Sequence, residues 1–519
     1  MDINNTVTPN QAWDSGFNKL LYKTKWFRLV LSAFSGLLLF ISFPPLGYGL
    51  FCWVALVPLL VAISGCRSQR KAGVCGLVTG IVFYTISLSF LIDTSGFLGI
   101  VLANIQTIFI ALFAVSFWLV AKRIGLSRAF LLTPLFWIGL EYFRSEVYFL
   151  KFPWLALGYS QSKLYYLIQA CDIFGVYGLS FLIMVVNALI GWFILHRIRK
   201  GKWNFRYPII SAVIICLMLI YGITREHYQP KYRRPPSTPT IPVAVVQEWI
   251  GSLDNYIKTT MESVDGKRET LVVWPESSIE RGLTNSSNRN MIEALARDKK
   301  LYLIFGTFEP TEEVVRFHNL VVLFSPEGRL IGQYAKRVPV PFIESVITPG
   351  DKWGVFETSL GNIGVLICYE AGFSNIAAWL TRKRGVELFV VPALEVGNWG
   401  GLAHQHHASM MPFRAIETRR PILRSAALGI SMIIHPTGKI ESQIDYLSSG
   451  VLRSEIIKGT KMTFYVKYGY GIPRILFGVY VLFLVIVILL YLIMRIPGGK
   501  KIYELLGIEK IISLLQEKK

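Results

Sequence analysis

Residues 27–46 read FRLVLSAFSGLLLFISFPPL, a run with one charge in its second position and none after it. Eight such apolar segments punctuate the chain, at about 27–46, 48–65, 72–92, 97–121, 129–143, 175–195, 207–223 and 474–494. A bilayer core asks for roughly 20 predominantly apolar residues per spanning helix. In lipid the backbone must satisfy its own polar groups, so these segments are expected to be helical. The fifth is the weakest, because Glu141 and Arg144 crowd its end. A mean hydropathy of +0.46 agrees with a membrane protein. The first run is too long, starts too late and lacks the small-residue cleavage site of a removable signal peptide.

The charge is distributed as a membrane topology requires. The net charge of +21 sits beside the apolar runs, and no aromatic-basic nucleic-acid motif accompanies it. Lys19, Lys23 and Lys25 precede the first run and Arg28 lies at its start; Arg67, Arg70 and Lys71 follow the second; Lys122, Arg123 and Arg128 follow the fourth. Arg197, Arg199, Lys200, Lys202 and Arg206 follow the sixth. The alternate loops, FPPLGYG and DTSG, carry almost none. By the positive-inside rule the basic loops are cytoplasmic. The expected order is a cytoplasmic segment 1–26, seven transmembrane helices over 27–225, a Pro-rich charged linker 226–240, an external domain 241–455, a final helix 474–494 and a basic cytoplasmic tail 495–519. Within the tail, 500–519 has apolar residues at helical spacing and suits the inner membrane surface as well as a solvated helix end.

Between the linker and the last helix the pattern changes. IPVAVVQ, TLVVWPE, LYLIFGTFE, HNLVVLFSPEG, GNIGVLICYE and VELFVVPALE are short β-branched runs that end in turn residues or charges. Helix-like stretches such as 286–299 and 373–384 lie between them. Strands alternating with helices predict a globular α/β domain.

Six cysteines fall at 52, 66, 75, 171, 216 and 368, with no CxxC pair, so neither a disulfide framework nor a cysteine zinc site is expected. Only Cys368 lies in the external domain. It ends a strand-like run, GVLI, while Glu276 follows LVVWP and Lys336 follows LIGQYA. Strand ends are where α/β scaffolds place reactive groups. A thiol needs to become a thiolate to attack, and a carboxylate within reach can take its proton. A lysine ammonium, with the backbone N–H of Tyr369, would stabilise the oxyanion that follows. Glu, Lys and Cys are thus sufficient for acyl transfer through a thioester. Each alone has a plain structural reading: a core thiol, a helix-start carboxylate, a solvated cation.

In this order and in these contexts, WPES, YAKRVPVPFIE and GVLICYE, the chain resembles the nitrilase superfamily. Within it the chain resembles the apolipoprotein N-acyltransferase family, through the helices before and after the domain, FPWLALGYSQ at 152–161, NWGG at 398–401 and the stretch 405–440. The resemblance implies an αββα sandwich carried on an eight-helix membrane bundle of the bacterial inner membrane, with the domain facing the periplasm. It implies Glu276 as general base, Lys336 as oxyanion stabiliser and Cys368 as nucleophile, with Glu344, Tyr369, Glu370 and Trp399 shaping the substrate site. The implied acyl donor is a phospholipid, typically phosphatidylethanolamine, and the acceptor the N-terminal amine of a diacylglyceryl-cysteine lipoprotein, with no cofactor and no metal. A membrane-tethered amide hydrolase using the same triad is the alternative. The chain departs from the family pattern at Val338–Ser345 in the lysine loop, at Gln247–Trp249, near Asn255 and Tyr256, and at Gly400.

Three further expectations attach to this reading. Phe342, Trp353, Phe373 and Trp399 are candidates to line an apolar pocket. His404, His406 and His407 form HQHH, with no carboxylate at convincing ligand spacing. Arg414, Arg419, Arg420 and Arg424 suit either phosphate headgroups or structural ion pairs.

Overall fold

In a computed structural model, residue 21 and residues 24–201, 203–227, 239–248, 253–281, 283–312, 315–395 and 399–493 are described. The basic tail 495–519 and most of the linker 226–240 lie outside them, as does Trp249. By length and composition five of the described helices can cross a membrane: Lys25–Ser42, Phe90–Arg123, Cys171–Arg199, Arg206–His227 and Gly469–Leu489.

The other expected spans are shorter, interrupted or more polar at one end. The segment at 48–65 is a turn, Gly49–Trp53, followed by the helix Val57–Ser64. Side chains from neighbouring helices satisfy the backbone freed by this break. Asn187 donates to the Cys52 carbonyl and accepts from the Leu56 N–H, and Ser35 donates to the Ala55 carbonyl. The helix Gln69–Ser87 opens on Gln69, Arg70 and Lys71, and Leu126–Tyr142 has Pro134 inside it. The expected span 97–121 is two helices, Phe90–Ile105 and Thr107–Arg123. Gly96, at φ 53°, breaks the first of these and turns the chain back on itself, so that a Cβ on Gly99 would lie 1.9 Å from the Leu91 carbonyl oxygen.

The α/β domain contains thirteen described strands: β1 (Ile241–Gln247), β2 (Thr270–Val273), β3 (Ile279–Glu280), β4 (Leu301–Pro310), β5 (Phe317–Phe324), β6 (Leu330–Ala335) and β7 (Val355–Thr358), then β8 (Gly361–Val365), β9 (Leu388–Leu394), β10 (Ile422–Ala427), β11 (Ser431–Ile434), β12 (Ile440–Ile444) and β13 (Gly450–Ile456). They form two sheets, ordered β13-β1-β2-β4-β5-β6, with β3 beside β4, and β12-β11-β10-β9-β8-β7. The centre of each is parallel, β1-β2-β4 in one and β8-β9-β10 in the other, with antiparallel strands outside. Parallel strands buried on both faces explain why VAVV, LVV and LFVV read as unbroken apolar runs.

The sheets face each other across one core that includes Val243, Val245, Ile304, Leu323, Val365 and Val390. Helices Leu253–Ser263 and Ser286–Asp298 cover the outer face of the first sheet. Helices Ser374–Arg384, Gly400–Ala408 and Met411–Thr418 cover the second. This is an αββα sandwich. The core under the second helical layer does not end at the domain: Phe389, Val391, Met411 and Phe413 belong to the same buried cluster as Phe83, Phe113, Trp154 and Ile183 of the helical bundle. Arg419 reinforces the join with a 2.6 Å ion pair to Asp172, at the start of helix Cys171–Lys200.

Candidate active site

The thiol sits at a bend. After β8 the chain runs through Leu366 and Ile367, then turns sharply at Cys368, whose φ of 47° lies in the left-handed region that non-glycine residues rarely adopt. The turn Cys368–Gly372 is closed by its own third residue: the Glu370 carboxylate accepts the Ile367 N–H at 2.8 Å. Its other oxygen accepts the Tyr334 hydroxyl at 2.8 Å and the N–H groups of Arg337 and Val338 at 2.7 and 3.1 Å. Glu370 thereby ties the loop after β6 to the bend that carries Cys368, and it does not line the cleft.

Glu276 stands just beyond β2, where Pro275, lacking an N–H, ends the ladder. Its backbone lies against Gly306 of β4, where a Cβ would fall 2.5 Å from the Glu276 Cα and 2.6 Å from the Ser277 nitrogen. Only glycine permits that approach. The Glu276 side chain accepts three hydrogen bonds, from Lys336 Nζ at 2.9 Å, Asn319 Nδ2 at 2.6 Å and the Leu394 N–H at 2.7 Å. Lys336 follows β6 and also donates to Glu344 at 2.8 Å. Burial opposes the lysine's charge, but Glu276 and Glu344 outweigh it and raise its pKa. Glu344 in turn accepts the Val340 N–H at 2.6 Å, which pins its own loop.

Cys368 joins this cluster through Leu394, whose N–H holds Glu276 and whose carbonyl accepts the thiol at 3.7 Å. Burial, and then the charge of Glu276, push the thiol well above its ordinary range, against Lys336. The resting group is therefore a thiol, and a base must remove its proton. Glu276, Lys336, Cys368 and Glu344 thus share one buried polar cluster.

Cys368 opens into a cleft with an empty volume of about 730 Å³. Its walls are Phe90, Leu91 and Leu102 from the doubled-back helical segment, Leu150, Phe152 and Trp154 from the loop before the sixth apolar run, and Val340–Ile343 from the lysine loop. Gln106, Tyr369, Trp399 and His407 complete them. Phe342 and Trp399 thus lie where the sequence pattern places them. Trp353 and Phe373 do not: Trp353 stacks on Trp379 at 4.4 Å beneath Arg337, and Phe373 packs edge-on against Tyr369 at 5.2 Å. The Tyr369 hydroxyl donates to the carbonyls of Leu150 and Lys151, fixing the bend to the membrane-proximal loop.

Sequence reasoning missed two groups. Asn319, a buried polar residue inside the apolar strand β5, holds Glu276. Glu395, just past β9 and fully buried, stands between His404 at 2.9 Å and His407 at 2.6 Å, with Arg424 at 2.5 Å. Burial opposes its charge, yet Arg424 and the two histidines hold its carboxyl well below the usual range. The far ring nitrogen of His407 lies 3.1 Å from the Cys368 carbonyl oxygen, and Trp154 stacks on the same ring at 5.6 Å. His404 and His407 of HQHH therefore do have a carboxylate neighbour, which follows a separate strand and is not from their own segment. Among the described residues no group of three or more His, Cys, Asp or Glu is arranged to hold a metal ion. The arginines are internal: Arg414 pairs with Glu417, Arg419 with Asp172 and Arg424 with Glu395, while Arg420 donates to backbone carbonyls.

Residues 35–189 match the family model of the apolipoprotein N-acyltransferase N-terminal domain, and residues 243–460 that of the carbon-nitrogen hydrolases. The chain is 31% identical over 489 residues to the apolipoprotein N-acyltransferase of Geobacter metallireducens, covering 85% of this chain and 91% of that protein. It is 24% identical to the Chlorobaculum tepidum protein of the same name, covering 91% and 97%. Among solved structures it is similar to Saccharomyces cerevisiae Nit3, of the nitrilase superfamily, at 22% identity and a TM-score of 0.37, covering 45% of this chain and 93% of that one.

Proposed function

The chain belongs to the apolipoprotein N-acyltransferase family and acts in lipoprotein N-acylation, and from this premise we propose that it moves a fatty acyl chain from a phospholipid, through a thioester on Cys368, to a lipoprotein's N-terminal amine. The observation that carries this mechanism is the position of Cys368, with the Glu276–Lys336–Glu344 cluster on one side and an apolar cleft walled by membrane-helix residues on the other.

In the first half-reaction Glu276 takes the thiol proton as sulfur attacks the ester carbonyl. Lys336 and the Tyr369 N–H stabilise the oxyanion. The carbon–oxygen bond then breaks, the lysophospholipid alkoxide takes the proton from Glu276 and the acyl chain remains on sulfur. In the second half, the α-amine of the diacylglyceryl-cysteine attacks the thioester, its proton passes to Glu276, and the amide forms as Cys368 leaves and is reprotonated. Glu344 holds Lys336 in place, Glu370 holds the bend, and Tyr369 and Trp399 shape the acyl site.

The greasy cleft suits both substrates, because each CH₂ buried is worth about 0.8 kcal/mol. It also keeps water from the thioester until the amine arrives. We place phosphatidylethanolamine as the donor, all eight apolar segments in the inner membrane and the α/β domain on the periplasmic side, following the charge bias of the loops. Intact mass spectrometry of the protein incubated with phosphatidylethanolamine tests the scheme. One added acyl group, absent in Cys368→Ser and discharged by a diacylglyceryl peptide but not by buffer, is the expected result. An unmodified protein, or discharge by water alone, would sink it.

A further inference from the structure

A separate cavity, of about 870 Å³ empty volume, lies at the outer start of the last helix and shares no lining residue with the catalytic cleft. Trp353 and Trp379, stacked, form one wall. Tyr142, at the end of helix Leu126–Tyr142, and Tyr468 and Tyr470, just before the last helix, form others. Arg382 and Arg474 line the cavity, and no aspartate or glutamate does. Arg382 lies 5.8 Å from the Tyr470 ring, and among the described residues neither arginine has a carboxylate partner. Asn375 Oδ1 is buried there without a hydrogen-bond partner. From Arg474 an exposed apolar stripe runs along the last helix through Ile475, Val479, Leu482 and Ile486.

These features have one ligand chemistry in common. Two guanidinium groups with no internal anion suit a phosphodiester, which they can grip with paired donors. Tryptophan and tyrosine collect at headgroup level in membrane proteins. The stripe beside Arg474 is where acyl chains would lie. The orphaned Asn375 oxygen calls for a donor, which a phosphodiester lacks and a headgroup hydroxyl supplies. A zwitterionic headgroup would bring its ammonium toward the two arginines, whereas a glycerol headgroup brings only hydroxyls.

We propose that this cavity binds the headgroup of phosphatidylglycerol, with the phosphodiester between Arg382 and Arg474, a glycerol hydroxyl donating to Asn375 and the chains along the last helix. This lipid is a resident and not the acyl donor, because the cavity does not reach Cys368.

Native mass spectrometry of the full-length protein in neutral detergent, titrated with phosphatidylglycerol, phosphatidylethanolamine or glycerol phosphate, tests the assignment. Wild type is expected to keep one phosphatidylglycerol against a tenfold excess of phosphatidylethanolamine. Arg382→Gln/Arg474→Gln is expected to bind one phosphatidylglycerol fewer, with at least tenfold weaker apparent affinity and unchanged phosphatidylethanolamine binding. Equal phosphatidylglycerol binding by the two proteins, or displacement by glycerol phosphate at equal concentration, overturns the proposal. If the glutamine pair loses both lipids, Arg382→Lys/Arg474→Lys decides: retained phosphatidylglycerol supports the site and its loss overturns it.

Discussion

The carboxylate of Glu370 holds the backbone N–H of Arg337 at 2.7 Å, one residue beyond Lys336, while its other oxygen closes the bend two residues before it. One buried side chain thus sets the distance between the lysine and the cysteine. Glutamine at this position keeps the shape but turns an amide donor toward one set of N–H groups, leaving them unpaired. Glu370→Gln is expected to slow acylation of Cys368 at least tenfold, about 1.4 kcal/mol of barrier, with the melting temperature lowered as well. Single-turnover mass spectrometry measures the rate, and a value within twofold of wild type would contradict the positioning role.

Cys368 should behave as a protected thiol. Burial and the Glu276 charge raise its pKa, so iodoacetamide labelling at pH 8 should run below a tenth of the rate of a free cysteine and keep climbing past pH 9. Glu276→Gln removes one of those two causes. Its labelling profile should move to lower pH even as acyl transfer is lost. Peptide mapping distinguishes Cys368 from the exposed Cys216. An unmoved profile would mean that Glu276 does not act on the thiol through its charge.

His406 makes a stability prediction with a definite sign. Its ring is buried between Phe43 and Trp154, and burial lowers its pKa from 6.5 to about 4. Between those values the unfolded chain binds a proton that the folded chain refuses. Its neutral ring therefore costs no stability above pH 6.5, and the penalty grows as pH falls toward 4, reaching about 3 kcal/mol. Melting curves in detergent across pH 4–7 should fall less steeply for His406→Leu, and parallel curves would refute the assignment.

The ion pair between Asp172 and Arg419 joins bundle to sandwich. Both are buried, and Arg225 adds a second contact to Asp172 at 2.8 Å. Asp172→Ala strands the Arg419 cation and should cost about 3 kcal/mol, in line with other buried pairs broken on one side. Chemical denaturation in detergent gives the value, and a loss below 0.5 kcal/mol would show that Gln169 and the Pro436 carbonyl, which also accept from Arg419, suffice.

The meeting of Glu276, Lys336 and Cys368 was legible because each follows a strand-like run, and strand ends are marked locally in sequence. The same signal placed β1, β2, β4, β5, β8 and β9. What escaped was set by contacts across the fold. Asn319 carried a mark, a lone amide in an apolar strand, that only Glu276, beyond β2 on the far side of β4, explains. Glu395 serves histidines nine and twelve residues away, on the next helix, and the ion-pair reading of the arginines could not name Asp172, which lies in another segment altogether. Trp353 and Phe373 had the right chemistry for the cleft, but they lie between elements and pack against Trp379 and Tyr369. DTSG was legible as a loop, but the return of the chain at Gly96 within Phe90–Ile105, which brings Gly99 back against Leu91, has no local mark in the sequence.

The shared core beneath Phe389 and Met411 has a kinetic meaning. With that layer fused to the bundle, the nucleophile stays at a set height and does not sweep out a volume on a tether. If both reactants are the lipids proposed above, they have to arrive by lateral diffusion, and encounter becomes a search in two dimensions. Its rate would scale with surface density in the leaflet and with lipid viscosity, so turnover in vesicles should follow mole fraction and not bulk concentration.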